Sequence, residues 1–345
     1  MLRFDVTTND WVIFAPRRAL RPHDFQGRTK PAPAEIDKTC PFCLGNEQRT
    51  PPEVFAIRDG TAANSRGWKV RVTPNKFPAL RIEEDYHRGQ EGRLFHHMGG
   101  CGAHEVIIDS PSHNLVLAQQ PVEQVRLVLW TLQQRYIDLM RDTRFQTIVL
   151  FKNHGERAGT SLAHPHCQLI AASVVPHMLR HKLAVAAQYL DKTGECIYTA
   201  LMEEELAAKD RIITVNEHFV ALCPYASQVP FETWIMPRRR QSSFRWLDPS
   251  LLHPLAEILK NVLSRLHLGL GDPDFNLTID TVPRGEEQGE YFLWHIQIHP
   301  RLTQPAGFEM GSGMSINPVL PEEAAALLRE VNVESPRSDC VSSVE

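Results

Sequence analysis

Apolar residues recur along this chain with two different periods. Over 121–141, Val125, Val128, Leu129, Leu132, Tyr136, Ile137 and Met140 fall three or four positions apart. They share one stripe of a helix, and that stripe must pack against something. Over 249–268 the pattern returns with Leu252, Leu255, Ile258, Leu259, Val262, Leu263 and Leu266. Shorter apolar or alternating segments at 68–72, 105–108, 147–151, 233–236, 274–279 and 294–298 read as strands. So does a segment at 166–171. Each half runs strand, helix, a turn holding Asp and Phe, strand, loop, strand. Asp142-Thr143-Arg144-Phe145 in the first is echoed by Asp272-Pro273-Asp274-Phe275 in the second. The chain reads as a duplicated unit, with halves at 1–185 and 186–333 and a helix across the boundary region 185–205.

Three further segments complete the pattern. Residues 1–37 are rich in Arg and Pro without sustained periodicity and are expected to wrap the core as an extended arm. Pro321-Glu322-Glu323 announces a last helix over 321–331. The polar tail 334–345 is expected to be disordered. The fold class is α+β: two tandem halves, antiparallel sheets each with a packed helix.

Composition narrows the function. The chain has 345 residues, 42% of them hydrophobic, enough for a sizeable core in two domains. A net charge of -4 makes no electrostatic case for broad nucleic-acid or membrane binding. No apolar run is long enough to span a bilayer, and the N-terminus lacks a secretory pattern. Seven cysteines, five of them scattered, point to reduced thiols and a cytoplasmic setting. Arg17, Arg18 and Arg21 cluster in a way that suits small-molecule phosphate, whereas Arg238, Arg239 and Arg240 read as a solvated face.

The densest chemical signal is the stretch from Asn153 to Gln168, ending His164-Pro165-His166-Cys167-Gln168. On a strand, His164, His166 and Gln168 project to one face. A lone histidine there is ordinarily a solvated surface residue. Three aligned polar groups behind a Gly/Ser loop able to offer backbone N–H groups favour a phosphate site instead. A neutral imidazole is nucleophilic near neutral pH, and Gln168 can donate to a phosphoryl oxygen. Cys40-Pro41-Phe42-Cys43 has the spacing that lets two sulfurs share a zinc, and the Gly45-Asn46 turn behind it suits a zinc knuckle more than a redox motif. Two more ligands are needed. His96, His97, His104, His113, His154, His164 and His166 are all candidates, and spacing alone does not choose among them.

Together with the segments Arg18-Ala19-Leu20-Arg21-Pro22, Asn75-Lys76-Phe77-Pro78, Ser110-Pro111-Ser112-His113, Phe151-Lys152-Asn153 and Gly307-Phe308-Glu309-Met310, these motifs resemble the galactose-1-phosphate uridylyltransferase family. That family sits in the histidine-triad superfamily and is close to the plant-type ADP-glucose phosphorylases. The resemblance covers nearly the whole chain, to about residue 333. It implies that His166 is the nucleophile on the α-phosphorus and that His113 and His164 complete a zinc site with Cys40 and Cys43. Gln168 and Ser161 would hold phosphoryl oxygens, with Asn153 and Gly159 beside them. Arg18 and Arg21 would meet phosphates, and Asn75 and Phe77 the base and ribose. Gly307, Phe308 and Glu309 would approach the hexose across a homodimer interface.

The leading expectation is transfer of UMP between UDP-glucose and galactose 1-phosphate. The alternative is an ADP-glucose phosphorylase that passes AMP to phosphate, and a non-catalytic zinc-stabilised binding protein is the reading from another class. The chain also departs from some relatives. Gln297 stands at one likely ligand position of an iron site that some carry, and Thr199 stands where a second zinc pair needs a cysteine to join Cys196, so neither of those metals is expected.

Overall fold

The computed structural model describes residues 1–16 and 34–333. Arg18, Arg21 and the tail at 334–345 lie outside the described residues. In chain order the first half holds β1 (Leu2–Asp5), β2 (Asp10–Phe14), β3 (Phe55–Arg58), β4 (Trp68–Pro74), β5 (Arg88–Glu91), β6 (Phe95–Met98), β7 (Gly102–Ile108), α1 (Val122–Leu139), β8 (Thr147–His154) and β9 (His166–Ala172). There follow α2 (His177–Thr193), α3 (Ile197–Ala208), β10 (Ile212–Val215), β11 (Phe219–Leu222), β12 (Thr233–Pro237), α4 (Leu252–Leu270), β13 (Phe275–Asp280), β14 (His295–Pro300), α5 (Gly307–Ser312), β15 (Ile316–Asn317) and α6 (Pro321–Glu330).

Ten strands form one antiparallel sheet in the order β10-β11-β12-β14-β13-β8-β9-β7-β4-β3. Each half contributes five neighbouring strands. They meet where β13 pairs with β8, from Phe275↔His154 to Ile279↔Leu150. The expected pair of sheets is therefore one continuous sheet, because joining the halves edge to edge satisfies two rows of backbone groups that would otherwise be open. The helix expected across 185–205 is two helices: α2 ends at Gly194, whose φ of 78° lets the chain turn, and α3 begins after Cys196.

α1 and α4 lie side by side on one face. Their stripes, including Val125, Leu129, Tyr136, Leu255, Leu259 and Leu266, are buried in a core with Ile107, Leu150, Cys167, Leu169 and Ile296 of the sheet. Period-two alternation then sends Val106, Ile108, His166 and Gln168 to the other face. There Val106 and Ile108 pack with Cys40, Phe42, Cys43 and Trp68. Of the extended arm expected over 1–37, the described residues 1–16 instead carry a hairpin of β1 and β2, with β15 added in parallel. Val12 and Phe14 hold it down by packing on Ala226, an alternation too short to register as a pattern. No helix among the described residues is long and apolar enough to cross a membrane.

Candidate functional site

The Cys40–Cys43 turn is built by two successive reverse turns, Cys43 N–H to Cys40 O at 3.3 Å and Asn46 N–H to Cys43 O at 3.1 Å. Asn46 ties it further by donating from Nδ2 to Cys40 O at 2.7 Å. Gly45 follows with φ 91°. Glu47 anchors the turn to the sheet, accepting from Gly45 N–H at 2.9 Å and from the Trp68 indole at 3.1 Å. Against this knuckle come His113, from the turn after β7, and His164, from the loop that enters β9.

The ligating atoms of Cys40, Cys43, His113 and His164 all lie within 4.8 Å of one another, and all four residues are buried. Cys43 Sγ stands 3.3 Å from His113 Nδ1 and 3.6 Å from His164 Nδ1. A tetrahedral zinc with ordinary Zn–S and Zn–N bonds needs an S–N edge of about 3.6 Å, so the donors fit that ion. The His164 Nε2–H points at Ser110 O, 2.9 Å away, which leaves Nδ1 as the free lone pair, as is usual where a histidine binds a metal through its other nitrogen. Burial pulls the His164 ring down to about 4, so it is neutral and ready to ligate. Burial likewise pushes the Cys40 thiol up to about 11, a cost that a bound cation would offset.

His166 opens β9. Strand geometry begins here, so His164 sits just before the strand and not on it as the alternation implied. Both rings nevertheless stand against one side, with the Phe42 ring 6.1 Å from His164 and 5.3 Å from His166. The His166 Nδ1–H donates to His164 O at 2.8 Å. That bond fixes the tautomer and leaves the Nε2 lone pair, for which the described residues offer no hydrogen bond. Burial, with the nearby Lys152 charge adding to it, holds the ring below its ordinary pKa despite the carbonyl's opposing pull, so the neutral imidazole is favoured.

Beneath it runs a buried ion pair. Lys152 Nζ lies 2.6 Å from Asp109 Oδ2 and 3.0 Å from His166 O, and the two side chains are 1% and 0% exposed. Burial alone would lower the ammonium pKa, but Asp109 outweighs it and the net shift is upward. Sequence reasoning assigned this pair no role. The signal was a charge directly after an apolar run, Lys152 after Ile148 to Phe151 and Asp109 after Val106 to Ile108.

Two carboxamides, of Gln168 and Asn153, share the sheet face of His166. Gln168 Oε1 lies 2.9 Å from His104 Nε2, and Asn75, which also touches that ring nitrogen, is brought in through His104. Asn153, near the end of β8, accepts at Oδ1 from Asn276 Nδ2 at 2.8 Å across the seam. Asn276 is itself held by Arg301. The loop beyond carries Gly155, whose φ of 85° and contact with the Asp274 carboxylate leave no place for a Cβ. It also carries Gly159 at φ 86° and the exposed Ser161. A cavity of about 690 Å³ is lined by Lys152, Asn153, Ser161 and His164 and by Asp272, Asp274 and Arg301 of the second half; the His166 ring does not line it. Phe77 is 82% exposed, an aromatic face open to a ligand or another chain. Gly307, Phe308 and Glu309 form the exposed helix α5. Among the described residues no hydrogen bond or ring contact joins them to His166.

The second half repeats part of this arrangement. His295 Nδ1–H donates to Leu293 O at 2.9 Å, as His166 does to His164 O. Its Nε2, however, accepts from the Gln297 amide at 2.9 Å, and the ring is fully buried. The charge beside it is Lys182, paired with Asp280 at 2.6 Å.

Models of the two domains of galactose-1-phosphate uridyl transferase match the chain, the N-terminal domain over residues 1–176 and the C-terminal domain over 182–336. The chain belongs to this family. Relatives of this family member include ADP-glucose phosphorylase of Arabidopsis thaliana, 36% identical over 96% of this chain and 93% of that protein. Galactose-1-phosphate uridylyltransferase of Thermotoga maritima is 28% identical over 96% of this chain and 99% of that protein. Among solved structures, an ADP-glucose phosphorylase from Arabidopsis thaliana with bound ADP-glucose matches with a TM-score of 0.81 and 34% identity, over 96% of this chain and 99% of that one. Family membership makes this chain a nucleotidyltransferase with a buried Cys2His2 candidate metal centre.

Proposed function

We propose that the chain transfers AMP from ADP-glucose to inorganic phosphate through a nucleotidyl-His166 intermediate. The uridylyl reaction was the first expectation from sequence. The order is reversed because the ADP-glucose phosphorylase relative shares 36% of its residues with this chain, while the uridylyltransferases share 25–28%. The observation that carries the transfer chemistry is the tautomer of His166, with Nδ1–H committed to a backbone carbonyl and Nε2 free. The Nε2 lone pair attacks the α-phosphorus, and the P–O bond to glucose 1-phosphate breaks, its electron pair leaving with that oxygen. Positive charge gained by the ring is stabilised through Nδ1–H by His164 O. A phosphate oxygen then attacks the same phosphorus, and the P–N electron pair returns to Nε2.

In this reading Gln168, Asn153 and Ser161, with Gly159 beside them, receive the phosphoryl oxygens. Arg18 and Arg21 meet phosphates, and Asn75 and Phe77 meet the base and ribose. Gly307, Phe308 and Glu309 serve the sugar end of a second copy's site in a homodimer. Zinc is the ion best suited to Cys40, Cys43, His113 and His164; bound there, it braces the knuckle against the strand that carries the nucleophile. UMP transfer between UDP-glucose and galactose 1-phosphate is the second reading, favoured by the domain models that match.

Labelling decides between them. ADP-glucose and UDP-glucose, each labelled in the α-phosphate, are incubated with the protein, and the adduct is then offered phosphate or galactose 1-phosphate. Acid-labile, base-stable label from ADP-glucose, discharged by phosphate and absent in His166→Gly, is the expected result. Label from UDP-glucose alone selects the second reading, and no label from either sugar nucleotide removes both.

A further inference from the structure

A carboxamide beside a transferring phosphoryl group can help or hinder. Its N–H2 attracts the developing negative charge, and its carbonyl repels it. Which end of Gln168 faces the site is therefore a functional question, and His104 answers it. The backbone N–H of Ala79 points at His104 Nδ1, 3.2 Å away. A backbone N–H can only donate, so Nδ1 is the lone pair and the proton of the neutral ring sits on Nε2. Nε2 lies 2.9 Å from Gln168 Oε1. Its proton is thus given to the Gln168 carbonyl, and the Gln168 amide nitrogen is turned away from the ring. The opposite tautomer would set two N–H groups head to head at Ala79.

Asn75 flanks the same ring nitrogen. Its Oδ1 accepts from Phe77 N–H at 2.9 Å, and its amide nitrogen lies 3.1 Å from His104 Nε2. With the proton on Nε2 these are two donors side by side and make no hydrogen bond, so the tautomer rests on the Ala79 and Gln168 contacts together. The backbone adds rigidity, since Asn75 N–H donates to His104 O at 2.8 Å.

We propose that His104 is a positioning residue whose Nε2–H holds the Gln168 carbonyl, so that the Gln168 amide presents its donors to the phosphoryl group on its way to His166. This rests on the nucleotidyl-transfer reading above. It assigns His104 a role through Gln168 and no contact with substrate.

The test is rapid-quench formation of the nucleotidyl adduct from α-phosphate-labelled ADP-glucose, in the full chain and in variants at His104 and Gln168. His104→Phe keeps a ring and removes both nitrogens. It should slow adduct formation by about 10²-fold, the loss expected for one misdirected donor at a developing charge, with KM changed less than about threefold. His104→Gln places an amide N–H near the lost Nε2 and should recover to within about tenfold of wild type. His104→Asn keeps only an acceptor for Ala79 and should fail like His104→Phe; it stands in for that variant if the phenylalanine disturbs folding. In a Gln168→Ala background His104→Phe should cost less than about threefold more, because the group it orients is gone. Wild-type rates in both His104→Phe and His104→Asn, or an equal loss in the Gln168→Ala background, would overturn the proposal while leaving nucleotidyl transfer intact. Absence of label from either sugar nucleotide on the wild-type protein removes the parent reading and this one with it.

Discussion

Lys152→Met tests whether the buried ion pair supports His166. The substitution keeps most of the side chain's length and apolar surface but deletes the ammonium. Asp109 is then left fully buried, with Oδ2 having lost a partner at 2.6 Å and Oδ1 already without a hydrogen bond. The His166 carbonyl loses its donor at 3.0 Å. Removing one member of such a pair costs about 3–5 kcal/mol, because a charge remains in a low-dielectric interior with nothing opposite it. Urea unfolding should show that loss as a lowered midpoint at unchanged m-value. The companion variant Lys152→Met/Asp109→Leu removes both charges and should recover to within about 2 kcal/mol of wild type, since apolar replacement of a buried pair is often neutral. Adduct formation should fall in both variants, because neither restores the bond to His166 O. A single variant within about 1 kcal/mol of wild type, or a double variant no more stable than the single, would refute the reasoning.

Cys43→Ser should lower bound zinc from one equivalent per chain to a small fraction and reduce thermal stability, both read on the purified protein by metal analysis and calorimetry; full zinc occupancy would show the ligand set to be wrong. His295 is depressed by burial to about 4 from 6.5, with Asp280 opposing. The unfolded chain therefore takes up a proton that the folded one refuses, so this contribution is complete above pH 6.5 and fades as pH falls toward 4, by up to about 3 kcal/mol. His295→Asn should flatten the stability profile in that window by about one proton, and an unchanged slope would contradict the assignment. Asn276→Leu strips partners from Asn153 Oδ1, Ala158 O and Arg301, and should cost about 1–3 kcal/mol and weaken substrate binding. Binding equal to wild type would mean that Asn153 needs no orientation from the second half.

Local pattern carried much of the fold. The stripes at Val125, Val128, Leu129 and Leu132 and at Leu255, Ile258, Leu259 and Val262 became α1 and α4, because the period of an amphipathic helix is written within a dozen residues. The inner strands β4, β7, β8, β9, β12, β13 and β14 were legible for the same reason, as was the duplication. The outer strands β3, β10 and β11, the hairpin of β1 and β2 and the exposed hairpin of β5 and β6 were not, since strands of four or five residues carry little alternation to stand out.

By itself the sequence marked out one cysteine pair, one His-x-His-x-Gln segment and one Gly-containing loop on an α+β scaffold, and its resemblance implied roles for them. Only the tertiary structure shows which of the candidate histidines stand together. His113 reaches Cys43 across 70 residues and His164 across 121. His96 and His97 stay on an exposed hairpin, and His154 is taken up by Asp272. His104 turned out to hold Gln168, a contact spanning 64 residues that no local spacing encodes. Periodicity is a property of neighbours in the chain, whereas a ligand set and a hydrogen-bond relay depend on how distant strands are set in register, and here that is decided by the pairing of β7, β8 and β9 within the first half.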